Sequence, residues 1–131
     1  MEFLARIVYA RRISQANRIG AAAKMANDGH PEEALERLDK IEKRLHKSLG
    51  SVHSLTRGRV LSTLGRIEEA EEAVIKAAKL DPSNERAHLD LAVMSANRGR
   101  TEDAKARLKK LIEVAEEEDI REQATELLKN M

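Results

Sequence analysis

The sequence predicts an all-α fold, a solenoid of stacked helical hairpins. Three observations predict it. Gly29-His30-Pro31-Glu32-Glu33-Ala34, Gly65-Arg66-Ile67-Glu68-Glu69-Ala70 and Gly99-Arg100-Thr101-Glu102-Asp103-Ala104 can be laid over one another, each a glycine, a short turn, two acids and an alanine. They recur at intervals of 36 and 34 residues. A period of that length marks units too small to bury their own apolar face, which must stack on their neighbours. Finally, alanine, leucine, glutamate, lysine and arginine dominate the chain, and all are strong helix formers.

A helical extension occupies residues 1–14, with Phe3, Leu4, Ile7 and Val8 along one side. No glycine or proline interrupts Glu2–Ile19, so the extension is expected to run into the first hairpin without a break. That hairpin covers 15–50. Its leading helix carries Ile19, Ala22, Ala23 and Ala26 and stops at Asn27-Asp28-Gly29, a C-terminal stop signal. Its second helix opens on Pro31-Glu32-Glu33. Proline suits a first turn, where its missing N–H costs nothing, and acids favour the positive helix N-terminus. Ala34, Leu35, Leu38, Ile41 and Leu45 recur every three or four residues as one apolar stripe, and Leu49-Gly50 is read as its end.

The second hairpin covers 51–84. Val52, Leu55, Val60, Leu61 and Leu64 lie on its first helix, and Ile67, Ala70, Ala73, Val74, Ala77 and Leu80 on its second. Asp81-Pro82-Ser83-Asn84 closes it, with Ser83 or Asn84 available to cap the next helix. The third hairpin covers 85–118. Gly99 ends its first helix, Thr101 is a candidate cap, and Ala104, Leu108, Leu111, Ile112 and Ala115 form the stripe of its second. Residues 119–131 read as a capping helix: Asp119 and Glu122 have capping-box spacing, and Ile120, Ala124, Leu127 and Leu128 share one side. An array must cover its last apolar face.

These residues resemble the tetratricopeptide repeat family, whose unit is a 34-residue helix-turn-helix. The second unit carries the likeness best, at Gly58, Gly65, Ala70, Ala77 and Pro82. The third matches at Leu91, Ala92, Gly99, Ala104, Leu108 and Leu111, and the first at Ala22, Gly29, Ala34, Leu38 and Ile41. Small residues are needed where helix axes approach within ~8–10 Å. The chain departs from the family where large aromatics usually fill the hairpin: Met25, Leu61 and Ser95 stand there, and lighter packing is expected. The resemblance implies a right-handed solenoid of three such hairpins.

Composition excludes several functions. With charged residues at 36% and a net charge of +1, the chain lacks the positive excess that phosphate binding needs, so nucleic acid is not expected as a partner. There is no cysteine, which removes disulfides, thiolate metal sites and a cysteine nucleophile. The apolar start is broken at Arg6, too early for a signal peptide or a membrane span; a cytoplasmic protein without membrane insertion is expected. His30, His46, His53 and His88 show no metal-ligand spacing, and each of His30, His46 and His53 reads as a surface residue. His88 reads as partly buried and hydrogen-bonded. Glycines are single and sit at turns, so no phosphate loop forms. No catalytic residue, metal or cofactor is expected.

Function is expected on the concave face, which the first helix of each hairpin lines. The resemblance assigns to that groove Ile19, Ala23 and Ala26 from the first unit, Val52, Leu55, Arg59 and Ser62 from the second, and Arg86, Leu89, Val93 and Ala96 from the third. Leu55, Leu89 and Val93 would anchor apolar side chains of a bound peptide. Arg59 and Arg86 would either meet its acids, through a planar donor fork, or pair with acids of the array such as Asp90. Some relatives grip a C-terminal carboxylate at set groove positions; here these hold Ile19, Ala23, Thr56, Arg86 and Asp90, which supports that mode at Arg86 alone. The expected role is a non-catalytic protein-interaction module for a protein or peptide partner. The alternatives are a self-assembling scaffold (a homo-oligomer) that uses the apolar extension, and an adaptor domain of a larger protein.

Overall fold

The computed structural model describes residues 2–131. Among the described residues the chain forms seven α-helices and no strand. They are α1 (Glu2–Asn27), α2 (Pro31–Glu42), α3 (Gly50–Thr63), α4 (Ile67–Leu80), α5 (Glu85–Asn97), α6 (Thr101–Val114) and α7 (Glu118–Lys129), with a 3-10 turn at Lys47–Leu49. Each helix packs on the next, α1 also touches α3, and α5 touches α7. The odd-numbered helices thus form one layer and the even-numbered helices the other.

The repeated glycine explains the hairpins. Gly29, Gly65 and Gly99 have φ of 95°, 77° and 78°, a left-handed conformation that a side chain disfavours. Each lets the following N–H reach back five residues: His30 to the Met25 carbonyl at 3.0 Å, Arg66 to Leu61 at 2.9 Å and Arg100 to Ser95 at 2.8 Å. That bond pairs carbonyls a helix end would leave open. The chain then reverses into α2, α4 or α6, each starting with two acids.

The core is distributed along the stack. One cluster joins α1, α2, α3 and α4 through Ile19, Ala22, Leu38, Leu61 and Ala70. Another joins α3, α4 and α5 through Leu55, Val74, Ala77, Ala87 and Leu91. The last joins α5, α6 and α7 through Leu89, Leu108, Leu111, Ile120 and Ala124. No hairpin encloses a core alone, as stacking requires. Ser95 fills its slot differently from Met25 and Leu61: it is buried, and its hydroxyl donates to Asp103 Oδ2 at 2.8 Å.

Polar clasps lock the joints. Gln15, buried on α1, donates to the Arg44 carbonyl at 2.7 Å and accepts from the His46 N–H at 2.8 Å. It fixes the longer α2–α3 connection. Asn84 caps α5 by accepting the Ala87 N–H, and its amide donates to Ser51 Oγ, which donates to the Ala77 carbonyl.

Four local expectations are corrected. Helix α2 stops at Glu42, so Leu45 lies beyond the stripe, and Gly50 begins α3 rather than ending α2. Thr101 is the first residue of α6, not its cap. Asp119 and Glu122 lie inside α7, which starts at Glu118 without a side-chain cap. Glu85 supplies the acceptor instead, taking the Glu116 and Glu117 N–H groups at 2.8 and 3.0 Å. His53 is buried rather than superficial, with Nε2 2.8 Å from the Leu38 carbonyl.

Candidate functional site: the face of the odd-numbered helices

Helix α3 shows how this face is built. Ser51, His53, Ser54, Leu55, Gly58, Val60 and Leu61 are buried among neighbouring helices on most sides of α3, while Val52, Arg59 and Ser62 stay exposed. On α5, Leu89 and Ala92 turn inward, while Asp90 and Val93 are only half-buried.

The two groove arginines are committed to acids of the array. Arg59 binds Asp90 side-on, Nε to Oδ2 at 2.8 Å and Nη2 to Oδ1 at 3.2 Å. This two-pronged contact bridges α3 and α5. Arg86 reaches α7, with Nη1 3.2 Å from Gln123 Oε1 and Nη2 3.5 Å from Asp119 Oδ2. Both arginines are therefore paired within the array.

The assigned groove residues divide by accessibility. Val52 is 49% exposed, Arg59 and Ser62 are exposed, and Ala23, Arg86, Val93 and Ala96 are half-buried. Ile19, Leu55, Leu89 and Ala26 are not available: at 2%, 9%, 2% and 8% exposed they belong to the core. Each lies on the side of its helix that the next hairpin covers. Leu55 and Leu89 thus pack the array and offer no anchor to a ligand. Asp119 and Gln123 were not foreseen on this face. A spacing signal for them exists: Ile120, Ala124 and Leu127 repeat the intervals of Ser54, Gly58 and Leu61, so α7 has the pattern of a unit's first helix.

Two carboxylates of the array are held in their charged form by hydrogen bonds. Glu85 is held below the ordinary carboxylate range by the N–H of Glu116 and then that of Glu117. Asp103 is held down by the Ser95 hydroxyl first and then by Arg107. These are structural carboxylates. Among the described residues no group of three histidine or acidic side chains could hold a metal ion, and no helix is long and apolar enough to cross a membrane.

The sequence profile described as tetratricopeptide repeat matches residues 61–124. Over those residues the chain carries the tetratricopeptide repeat pattern. Comparison with curated protein sequences gives no match. Solved structures agree on the fold. The type III secretion translocator chaperone SycD of Yersinia enterocolitica superposes with a TM-score of 0.78 at 16% identity, covering 89% of each chain. PcrH, solved with the chaperone-binding region of PopD, gives 0.74 at 15% identity over 89% of this chain and 90% of that one. The second such domain of human RPAP3, solved with an HSP70 peptide, gives 0.68 at 17% over 92% and 97%. The fold is all-helical and like that of these tetratricopeptide repeat arrays, with α1, α3 and α5 leading the hairpins.

Proposed function

We propose that the chain is a non-catalytic interaction module that binds a peptide segment of a protein partner along the face of α1, α3, α5 and α7. Residues 15–118 form the binding array in this reading, and α7 closes it. The observation that carries the proposal is a continuous face on which exposed Val52 and half-buried Ala23 and Val93 stand beside hydrogen-bonding Ser62 and the Arg59–Asp90 pair. Similar arrays have been solved with bound segments: SycD with a YopD peptide, PcrH with a region of PopD and RPAP3 with an HSP70 peptide.

The pairing of the arginines shapes the ligand. A carboxylate would have to break a two-pronged contact to reach Arg59, so apolar side chains carry the binding and acids contribute little. Val52 and Val93 are the anchor positions, and affinities on the order of micromolar are expected for such a mixed surface. Having no cysteine, the module suits the reducing cytoplasm.

The test is selection of peptides of about fifteen residues from a displayed random library, followed by binding to Val52→Asp and Val93→Asp. Val52 is exposed and Val93 half-buried, and helical circular dichroism checks that both variants fold. Selected peptides should carry apolar residues and lose about tenfold or more in affinity, roughly 1.4 kcal/mol. Equal binding to both variants would remove the groove from the proposal.

A further inference from the structure

Helix α1 leaves the array at its N-terminal end. Every residue from Glu2 to Arg11 is exposed, and Arg11, whose Nη2 donates to the Arg44 carbonyl at 2.9 Å, marks the departure. On this overhang Phe3, Leu4, Ile7, Val8, Tyr9 and Ile13 are 73%, 64%, 48%, 50%, 58% and 43% exposed. At 3.6 residues per turn, Phe3, Leu4 and Tyr9 point in three different directions. The apolar side chains thus cover more than one side of the helix, with Arg6, Arg11 and Arg12 between them, and a trough would cover more of them than a flat surface.

We propose that the trough belongs to a second copy of this chain. The two copies form a closed two-fold dimer in which each overhang lies antiparallel against the outer side of α1 and α2 of the other. One stripe of α1 is self-complementary. Phe3 and Ile7 give it a bulky first half, and Ser14, Asn17 and Ala21 a small second half, with Ala10 between them. Antiparallel pairing sets bulky on small twice, and a two-fold interface repeats every contact.

The small half is a shallow, open furrow on α1 alone, formed by Tyr9, Ala10, Ile13, Ser14, Asn17, Arg18 and Ala21. Beside it, Arg18, Ala21, Arg37, Lys40 and Ile41 line a second cleft between α1 and α2. The cleft gives the overhang one recess beside that shallow strip. The six exposed apolar side chains present roughly 600 Å² per copy, and two copies together clear the roughly 1,000 Å² that a specific interface needs.

Charge gives the arrangement a signature. Arg6, Arg11 and Arg12 of one copy approach Arg18 and Lys40 of the other, so repulsion opposes the apolar gain. Added salt screens that repulsion and tightens the dimer. A head-to-tail pairing of this basic overhang with the acidic run Glu116-Glu117-Glu118-Asp119 would respond in the opposite sense.

Sedimentation equilibrium of the full chain tests the proposal, which stands apart from the groove reading. The expected mass is twice 14.7 kDa, and the dimer should tighten several-fold between about 50 and 500 mM salt. Ile7→Asp on the overhang and Ala21→Arg in the furrow should each weaken it tenfold or more with unchanged helical circular dichroism. A monomer up to about 200 µM, some hundredfold above a micromolar dissociation constant, would overturn it. So would species larger than a dimer, weakening by salt, or loss of association in Ile7→Asp but not in Ala21→Arg.

Discussion

Gly58 on α3 faces Val74 on α4 so closely that a Cβ on Gly58 would lie 2.7 Å from Val74 Cγ2. It would also stand 3.1 Å from the Ala70 carbonyl oxygen. The absence of a side chain sets the spacing of the two helices, and the buried Ala70, Ala73, Val74 and Ala77 on α4 keep it. Gly58→Ala should push the hairpin apart and cost about 1–3 kcal/mol, read as a lower midpoint in urea. Gly20 is its control: it lies inside α1 with nothing within 4 Å of its Cβ position. Gly20→Ala should stabilise by about 0.5–1 kcal/mol.

Leu108 is fully buried between α5, α6 and α7. Leu108→Ala should cost about 2–5 kcal/mol through lost burial and the cavity left behind. Because cores are shared between neighbouring hairpins, hydrogen exchange should show α6 and α7 opening first while α2 stays protected.

The Arg59–Asp90 pair should matter little for stability. The Arg59 side chain is 52% exposed, and exposed pairs contribute about 0–1 kcal/mol. Asp90→Ala should leave the thermal midpoint nearly unchanged but free the Arg59 fork. Peptides with a carboxylate beside the apolar anchor should then gain affinity over their neutral versions, measured by fluorescence anisotropy.

Acid should loosen the C-terminal end. Glu85 lies below its ordinary value of 4.5 and Asp103 below 3.8 in the folded chain. A carboxylate depressed by folding contributes stability above its unfolded pKa, which is lost as pH falls through the folded value. Stability should therefore hold from neutral pH to the ordinary carboxylate range and fall below it. Glu85→Gln should flatten that fall, as followed by chemical denaturation between pH 7 and pH 3.

The hairpins were legible because their signals are local. Gly65 with Ala70 and Gly99 with Ala104 report backbone conformation and close packing within a few residues, and the structure places all of them as the pattern implies. Capping was less legible, since Glu85 and Gln15 act on backbone groups about thirty residues away. His53 read as a surface residue because its partner, the Leu38 carbonyl, belongs to the preceding hairpin. On the proposed binding face, the family resemblance was too coarse: it put Leu55 and Val52 together, whereas one packs α4 and α5 and the other meets solvent.

By itself the sequence determined the class of fold, the turns and the register of the repeat. Those depend on φ, helix propensity and a three-to-four-residue period, all properties of short segments. Tertiary structure alone decided that Arg59 meets Asp90, that Leu89 is core and that the start of α1 stands clear of the array. These depend on how far one helix pair is displaced and rotated against the next. That geometry is set by side-chain volumes meeting across the stack, and no single segment contains it.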